Sequence, residues 1–525
     1  MRRTARTVEI MDTTLRDGEQ TPDVAYTPAE KLQLARILLE DVRVNRIEVG
    51  QARVSEGERE AVSRVTRWAR DRRLLSRVEV MGYCDHKASV DWIVAAGGRV
   101  MNLLCKGSRR HCELQLRATP EQHRAQVAQT IRYAHEHKLR VNVYLEDWSN
   151  GVRESFDYVF AMVDLLRSLG VQRVYLADTL GGLSPEATQR SVELMVSTWP
   201  DVRFEFHAHN DYGLAVANCL AAVKAGVHGI HTSVNGMGER TGNTRLAEVV
   251  AVLHDHTGLR TDVVESRLAA VSRLVETFSG KDVAANTPIV GRDVFTQTGG
   301  IHADGDAKAD LYANRLAPKR FGQQRRYALG KLSGKASLDH NLRSLGIELR
   351  PHDRELVLRR IVELGDKKHA VGAEDLPYII ADVLKSQGTQ LVRVESWQVS
   401  VATKAPPRAE VVLAARKRRA RATASGDGGY DAFMNALRKA ARRLDLRVAA
   451  LADYRVRIPP GGRSAALVET VITWKPEDRG GVSFSTLGVD SDQLAAAVIA
   501  TEKMLNALAA QRRPRRAGPA VRSTS

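Results

Sequence analysis

The chain has 525 residues, 43% hydrophobic and 27% charged, with a formal net charge of +17. This is an ordinary globular composition with room for two or three domains, each with its own core, and no apolar run reaches the ~20 residues that a bilayer-spanning helix requires. The positive charge is spread along the chain, with clusters at Arg416 to Arg421 and from Arg512 onward that do not interleave aromatic residues, so a solvated basic surface is favoured over a base-stacking platform, and neither a nucleic acid nor a membrane is expected as a partner.

In chain order, the N-terminus has basic residues but no apolar stretch or small-residue cleavage site before its first strand, so it does not read as a signal peptide. Cys84, Cys105, Cys112 and Cys219 show no CxxC spacing and are expected to be reduced thiols in a cytoplasmic protein. Residues 1–260 repeat one unit, a short β-rich run followed by an amphipathic helix. The strand segments run Val8 to Asp12, Arg46 to Gly50, Arg77 to Cys84, Arg99 to Cys105, Arg140 to Asp147, Arg173 to Asp178, Arg203 to His209 and Gly229 to Gly236. Thr27-Pro28, Thr119-Pro120 and Ser184-Pro185, each followed by an acidic residue close behind, mark helix starts, and Gly226 marks a helix end. Eight such units in about 250 residues predict an α/β fold, a (β/α)8 TIM barrel with its functional residues at the C-terminal strand ends, rather than an open doubly wound sheet.

Chemistry-bearing residues fall at those ends. His207 and His209 lie two apart on the seventh strand and so point to the same side. Asp17 follows the first strand. Two imidazoles and a carboxylate with open positions form a workable set for a divalent cation (Zn, Mn or Mg). Asn210 and Asp211 read as loop and capping residues, and Asn243 as the N-cap of the eighth helix.

Residues 261–390 read as linker subdomains, with helices from Val263 to Phe278 and Asp353 to Leu364 around a basic stretch from Arg315 to Arg326. The Gly-Lys pairs at 330–331 and 334–335 do not have the spacing of a nucleotide-binding loop. Residues 391–511 contain an internal repeat: strands, a Gly/Asp loop and a helix, twice. This predicts a pseudo-symmetric α+β domain. The basic tail 512–525 is expected to be disordered.

The motifs LRDGEQT (Leu15 to Thr21), HAHND (His207 to Asp211), NGMGERTGN (Asn235 to Asn243), VYLEDWSNG (Val143 to Gly151), IHADGD (Ile301 to Asp306) and YALGKLSGKAS (Tyr327 to Ser337) together resemble the 2-isopropylmalate, homocitrate and citramalate synthases over nearly the whole chain. Within that family the citramalate synthases are the nearest in appearance. The resemblance implies an acyltransferase that condenses acetyl-CoA, as co-substrate, with a 2-oxo acid. It implies Asp17, His207, His209 and Asn243 as metal ligands, Arg16 on the keto oxygen, Thr179 on the acceptor carboxylate and Glu146 as base or positioning group beside the acetyl methyl. It also implies a homodimer in which His302 and Tyr312 complete the partner subunit's site, and a C-terminal domain that binds an amino-acid effector. Tyr430, Asp431, Leu451, Tyr454, Ile458 and Val468 combine apolar surface with one carboxylate and suit a branched amino acid such as isoleucine. Each serves equally well as core of that domain.

Tyr144 shares a strand face with Glu146, and Met81 and Leu104 end the neighbouring strands. Together they predict a small apolar pocket that suits the methyl group of pyruvate, giving (R)-citramalate in isoleucine biosynthesis; ordinary barrel packing explains the same residues. The alternative acceptor is 2-oxoisovalerate, as in 2-isopropylmalate synthase. Two other readings are weaker. The lyase branch of the superfamily carries a catalytic cysteine in the loop occupied here by Gly236 to Arg240, which has none. A basic nucleic-acid-binding or scaffold protein requires the strand-end residues to be vestigial.

Overall fold

The computed structural model describes residues 7–366, 391–457, 468–476, 483–490 and 492–510, with isolated positions between 371 and 383. Eight parallel strands close into a barrel: β1 (Glu9–Asp12), β2 (Arg46–Gln51), β3 (Val78–Tyr83), β4 (Val100–Lys106), β5 (Arg140–Glu146), β6 (Arg173–Asp178), β7 (Arg203–Ala208) and β8 (Gly229–Thr232). Closure is made by β1, which pairs with β2 on one side and in register with β8 on the other, Glu9 opposite Gly229 through Asp12 opposite Thr232.

Local chemistry sets the helices between them. Thr27 and Thr119 head the helices Pro28–Arg36 and Pro120–Glu136 as full capping boxes, with Glu30 and Gln122 as the reciprocal partners. Ser184 accepts from the Ala187 N–H to start Pro185–Thr198, and Gly226 ends Ala215–Ala225 at φ 112°. The outward side chains of the strands, among them Ile47, Val49, Val78, Val80, Leu103, Val143, Phe204 and Phe206, pack against the apolar faces of these helices as one buried core. The inward side chains are largely polar, which matters for the site.

The eighth strand is shorter than its sequence suggests. It stops at Thr232 because Asn235 takes a left-handed conformation (φ 59°) inside a tight turn. The following helix starts at Leu246, so Asn243 is not its N-cap. Instead Asn243 bridges to His209 at the barrel mouth. The predicted helix from Val263 begins at Leu268, after a short turn.

The chain divides into two compact units, residues 1–295 with 313–325, and residues 296–312 with 326–525. In the second unit, the two-residue strands β9 (Thr296–Gln297) and β10 (Arg326–Tyr327) pair in parallel, beside helices that include Gly300–Ala309, Lys335–Ser344 and Pro351–Asp366. The C-terminal repeat is present: β11 (Val392–Ala402), β12 (Ala405–Ala415) and β13 (Arg418–Ser425) form one antiparallel sheet, and β14 (Ala450–Arg457), β15 (Val468–Lys475) and β16 (Phe484–Asp490) another. Each is followed by a helix, Gly429–Arg443 and Gln493–Ala510, and sheets and helices share one core around Phe433, Leu437, Trp474 and Met504. Ile458 and the tail from 511 lie outside the described residues. Among the described residues no helix is long and apolar enough to cross a membrane.

Candidate active site

Strand parity brings the expected ligands together. Asp17, His207 and His209 are all buried, and their ligand atoms lie within 4.8 Å of one another, the one such cluster among the described residues. His207 Nε2 is 3.2 Å from Asp17 Oδ2 and 3.4 Å from His209 Nε2. Burial by itself raises the Asp17 carboxyl, but Arg16, His207 and His209 outweigh it and hold the group well below the usual carboxylate range. Burial, reinforced by His207, pushes His209 down to about 4, so this imidazole is neutral at physiological pH, as a ligand must be. Asn243, 2% exposed, gives its amide N–H to the Met237 carbonyl at 3.0 Å, while among the described residues no donor reaches its buried Oδ1. A buried amide oxygen without a partner is costly. Bridged to His209 beside the two imidazoles and the carboxylate, it suits a fourth ligand to a borderline divalent cation.

Arg16 stands next to this cluster. Its Nε donates to Glu48 Oε2 at 2.5 Å, its Nη2 lies 3.4 Å from the Tyr144 hydroxyl and its Nη1 is 3.4 Å from Asp17 Oδ1. Burial disfavours the charge, yet Asp17 and Glu48 more than compensate, and the guanidinium stays protonated. Glu48 is itself held by Asn102 Nδ2 at 2.7 Å, which ties Arg16 to a polar layer crossing the barrel. Below lies a second layer, where Arg46 pairs with Glu79 (2.7 Å) and with Glu205, and donates to the Tyr175 hydroxyl (2.9 Å). Such an interior departs from the branched aliphatic layers common in these barrels. Glu48, Glu79, Glu205, Asn102 and His231 were not singled out from the sequence. For four of them the signal was present: in IEV, VEV, MNL and FEF each polar residue alternates with apolar neighbours on a strand whose outer face is covered by helices, so the polar side chain has to point inward.

The pocket residues also converge. Met81, Tyr144 and Leu104 pack with Met11 and Tyr175 as a small apolar cluster inside the barrel. The Tyr144 hydroxyl lies 3.3 Å from Glu48 Oε2 and 3.2 Å from His231 Nδ1, and burial together with Glu48 raises its pKa well above the ordinary phenol value. Glu146, at the end of β5, is ion-paired with Lys106, its in-register neighbour on β4. Lys106 is a further residue that the sequence reading passed over. Thr179 is half-buried, and its hydroxyl accepts the N–H of Asp147 at 2.9 Å. This bond braces the left-handed turn at Asp147 (φ 63°) that follows Glu146. Of the loop residues, Asn210 accepts the Ala215 N–H and so caps a helix as expected, whereas Asp211 pairs with Arg240 at 2.9 Å.

In the second unit, His302 and Tyr312 meet with their rings tilted by 41°, centroids 4.3 Å apart. Tyr430 and Tyr454 also meet, at 5.1 Å, and Tyr430 shares a 2.7 Å hydrogen bond with Thr501. Leu451 is 41% exposed and Val468 buried. The Asp431 carboxylate turns back on the start of its own helix, accepting from the Asp427 N–H and from Asn435 at 3.1 Å each.

A closed (β/α)8 barrel with a histidine–carboxylate cluster at its C-terminal mouth defines the class. Comparison with known families narrows it: the HMGL-like model matches residues 7–275, a homocitrate synthase post-HMGL domain-like model residues 289–369, and the LeuA allosteric (dimerisation) domain model residues 370–509. The chain belongs to the HMGL-like family. Similar proteins include an (R)-citramalate synthase of Methanocaldococcus jannaschii, 32% identical over 95% of this chain and 99% of its own length. A 2-isopropylmalate synthase of the same organism is 31% identical over 96% of this chain and 95% of its own. A homocitrate synthase of Methanopyrus kandleri is 36% identical over 73% and 94%.

Proposed function

We propose that the protein is an acyltransferase that condenses acetyl-CoA with pyruvate and hydrolyses the thioester, giving (R)-citramalate and CoA for isoleucine biosynthesis. The observation that carries this reading is the buried cluster of Asp17, His207 and His209, with the orphaned Asn243 oxygen and the Arg16 guanidinium beside it. A divalent cation held there would supply a Lewis acid for the acceptor's ketone. Arg16, fixed through Nε by Glu48 and with its terminal nitrogens 3.4 Å from Tyr144 and Asp17, presents its charge to the keto oxygen, where negative charge develops as the new carbon–carbon bond forms. Glu146 takes a proton from the acetyl methyl, and Lys106 holds that carboxylate at the strand end. Thr179 binds the acceptor's carboxylate. His302 and Tyr312 serve the hydrolytic half of the reaction from the partner subunit of a homodimer.

The apolar cluster supports pyruvate as the acceptor. Met81, Leu104 and Tyr144 belong to one small apolar cluster, a setting that suits a methyl group better than a branched chain. Discrimination on that basis is about 1–3 kcal/mol for each methyl or methylene. On this reading the chain has three regions, a catalytic barrel, linker subdomains, and a regulatory, dimer-forming C-terminal domain whose effector is a branched amino acid, in a cytoplasmic enzyme. The test is release of free CoA from acetyl-CoA with divalent metal and, in parallel, pyruvate, 2-oxobutyrate, 2-oxoisovalerate and 2-oxoglutarate, each repeated with isoleucine or leucine. Pyruvate should give the highest kcat/KM. Silence with all four acids would overturn the synthase reading, and a preference for 2-oxoisovalerate would replace citramalate with 2-isopropylmalate as the product.

A further inference from the structure

All four cysteines lie among the described residues, and two of them touch. Cys84 directly follows β3 and Cys105 lies near the end of β4. Tyr83 stands opposite Leu104 in the ladder, so the two thiols occupy the next rung. Their sulfurs are 3.6 Å apart, and the Cys84 thiol also reaches the Leu104 carbonyl at 3.4 Å. Cys105 is buried while Cys84 is half-buried. Neighbouring strands run about 4.8 Å apart, within the ~4.4–6.8 Å that a disulfide tolerates between its α-carbons. The remaining thiols have other partners, Cys112 the Ala118 carbonyl and Cys219 the Thr244 hydroxyl.

We propose that Cys84 and Cys105 form a redox-sensitive dithiol that closes to a cross-strand disulfide when the protein meets a peroxide. The half-buried Cys84 sulfur attacks one peroxide oxygen, the O–O bond breaks, and Cys84 becomes a sulfenic acid as the first water leaves. The Cys105 sulfur then attacks the Cys84 sulfur and the S–O bond breaks with release of a second water. Two thiols and hydrogen peroxide thus give one disulfide and two waters, the sulfurs being oxidised and the peroxide reduced. Burial pushes the Cys105 thiol well above its ordinary value, which leaves the half-buried Cys84 as the thiol that meets the peroxide.

The bond is coupled to the barrel mouth through the next residue. The Lys106 N–H donates to His123 at 3.1 Å, its carbonyl accepts from the Tyr158 hydroxyl at 3.1 Å, and its side chain pairs with Glu146. A bond between the sulfurs, now 3.6 Å apart, ties the strand end that carries Lys106 to β3, and a catalytic constellation tolerates only about 0.5 Å of displacement. Oxidised protein therefore turns over more slowly, a consequence that rests on the proposed synthase activity, whereas the bond itself does not.

The full-length protein is treated with hydrogen peroxide, then denatured for thiol titration and mapped by tryptic mass spectrometry. Titratable thiols should fall from four to two, a linked peptide pair should contain Cys84 and Cys105, and dithiothreitol should restore all four. Under the same treatment Cys84→Ser should keep its three thiols, whereas Cys105→Ser should lose one, Cys84 stopping at the sulfenic acid with no linked peptide pair, and dithiothreitol should restore it. Four surviving thiols, a link between any other cysteines, or a loss that dithiothreitol does not reverse would overturn the dithiol. A disulfide formed with no change in CoA release by an otherwise active enzyme would overturn the coupling to Lys106 alone.

Discussion

Arg16 and Asp17 are adjacent in sequence yet oppositely constrained. Asp17 faces the two imidazoles, and Arg16 is turned by Glu48 so that its free edge flanks them. Replacing Glu48 with Ala leaves a buried guanidinium short of a partner, and chemical denaturation should show a loss of roughly 3–5 kcal/mol. Glu48→Gln keeps the shape and one acceptor, so it should fold while kcat falls about 100-fold through misplacement of Arg16. A Glu48→Gln enzyme with unchanged kcat would mean that Arg16 orients itself. The sequence disclosed His207 and His209 by their parity on one strand and Asp17 by its place after another, while Arg16 came only with the family resemblance. It disclosed less of what holds them. Glu48 and Lys106 act through contacts with residues on other strands, at sequence separations that no local pattern encodes, and the role of Asn243 was visible only as a family resemblance against a competing cap reading that the start of the helix at Leu246 removes.

At the scale of elements, capping and ion pairing set predictable increments. Thr119→Ala removes the side-chain half of a complete capping box and should cost about 1 kcal/mol in denaturant unfolding, with no effect on the barrel mouth. The segment 313–325 is fastened to the barrel by Arg320, which pairs with Asp255 at 2.9 Å and with Glu265 at 2.6 Å, while His254 bonds Glu265 at 3.1 Å. Burial opposes ionisation of Glu265, but its bonds to His254 and Arg320 win and bring its pKa down to about 2. A depressed carboxyl adds stability above its unfolded value, about 4.3, and loses it as pH falls towards the folded one. The Tm deficit of Glu265→Gln should therefore be full at pH 7 and shrink between about pH 5 and pH 3; a constant deficit would mean that the ion pair is not what the mutation removes. Element type was legible throughout the barrel because strand and helix periods alternate cleanly. Boundaries failed where backbone geometry decides them, as at Asn235, whose positive φ ends β8 early.

For the whole molecule, the eight-fold alternation made the barrel legible, and the doubled strand–loop–helix pattern made the C-terminal repeat legible. The arrangement of subunits was not, since no periodicity records a surface that meets a second copy. The proposed dimer has a sharp consequence. Mixing Asp17→Ala and His302→Ala proteins, each inactive alone, should recover about a quarter of wild-type activity if the partner supplies His302, because half the dimers are mixed and each of those holds one intact site. No recovery after demonstrated subunit exchange would place His302 with its own barrel. The most direct test of the central claim, a cation-dependent condensation at the barrel mouth, is CoA release from acetyl-CoA and pyruvate by metal-stripped protein titrated with Zn, Mn or Mg. Wild type should be silent when stripped and regain activity with at least one of these ions, while a folded Asp17→Asn variant should stay at least about 100-fold lower at saturating metal. Full turnover by the stripped enzyme, or an Asp17→Asn variant as active as wild type, would contradict it.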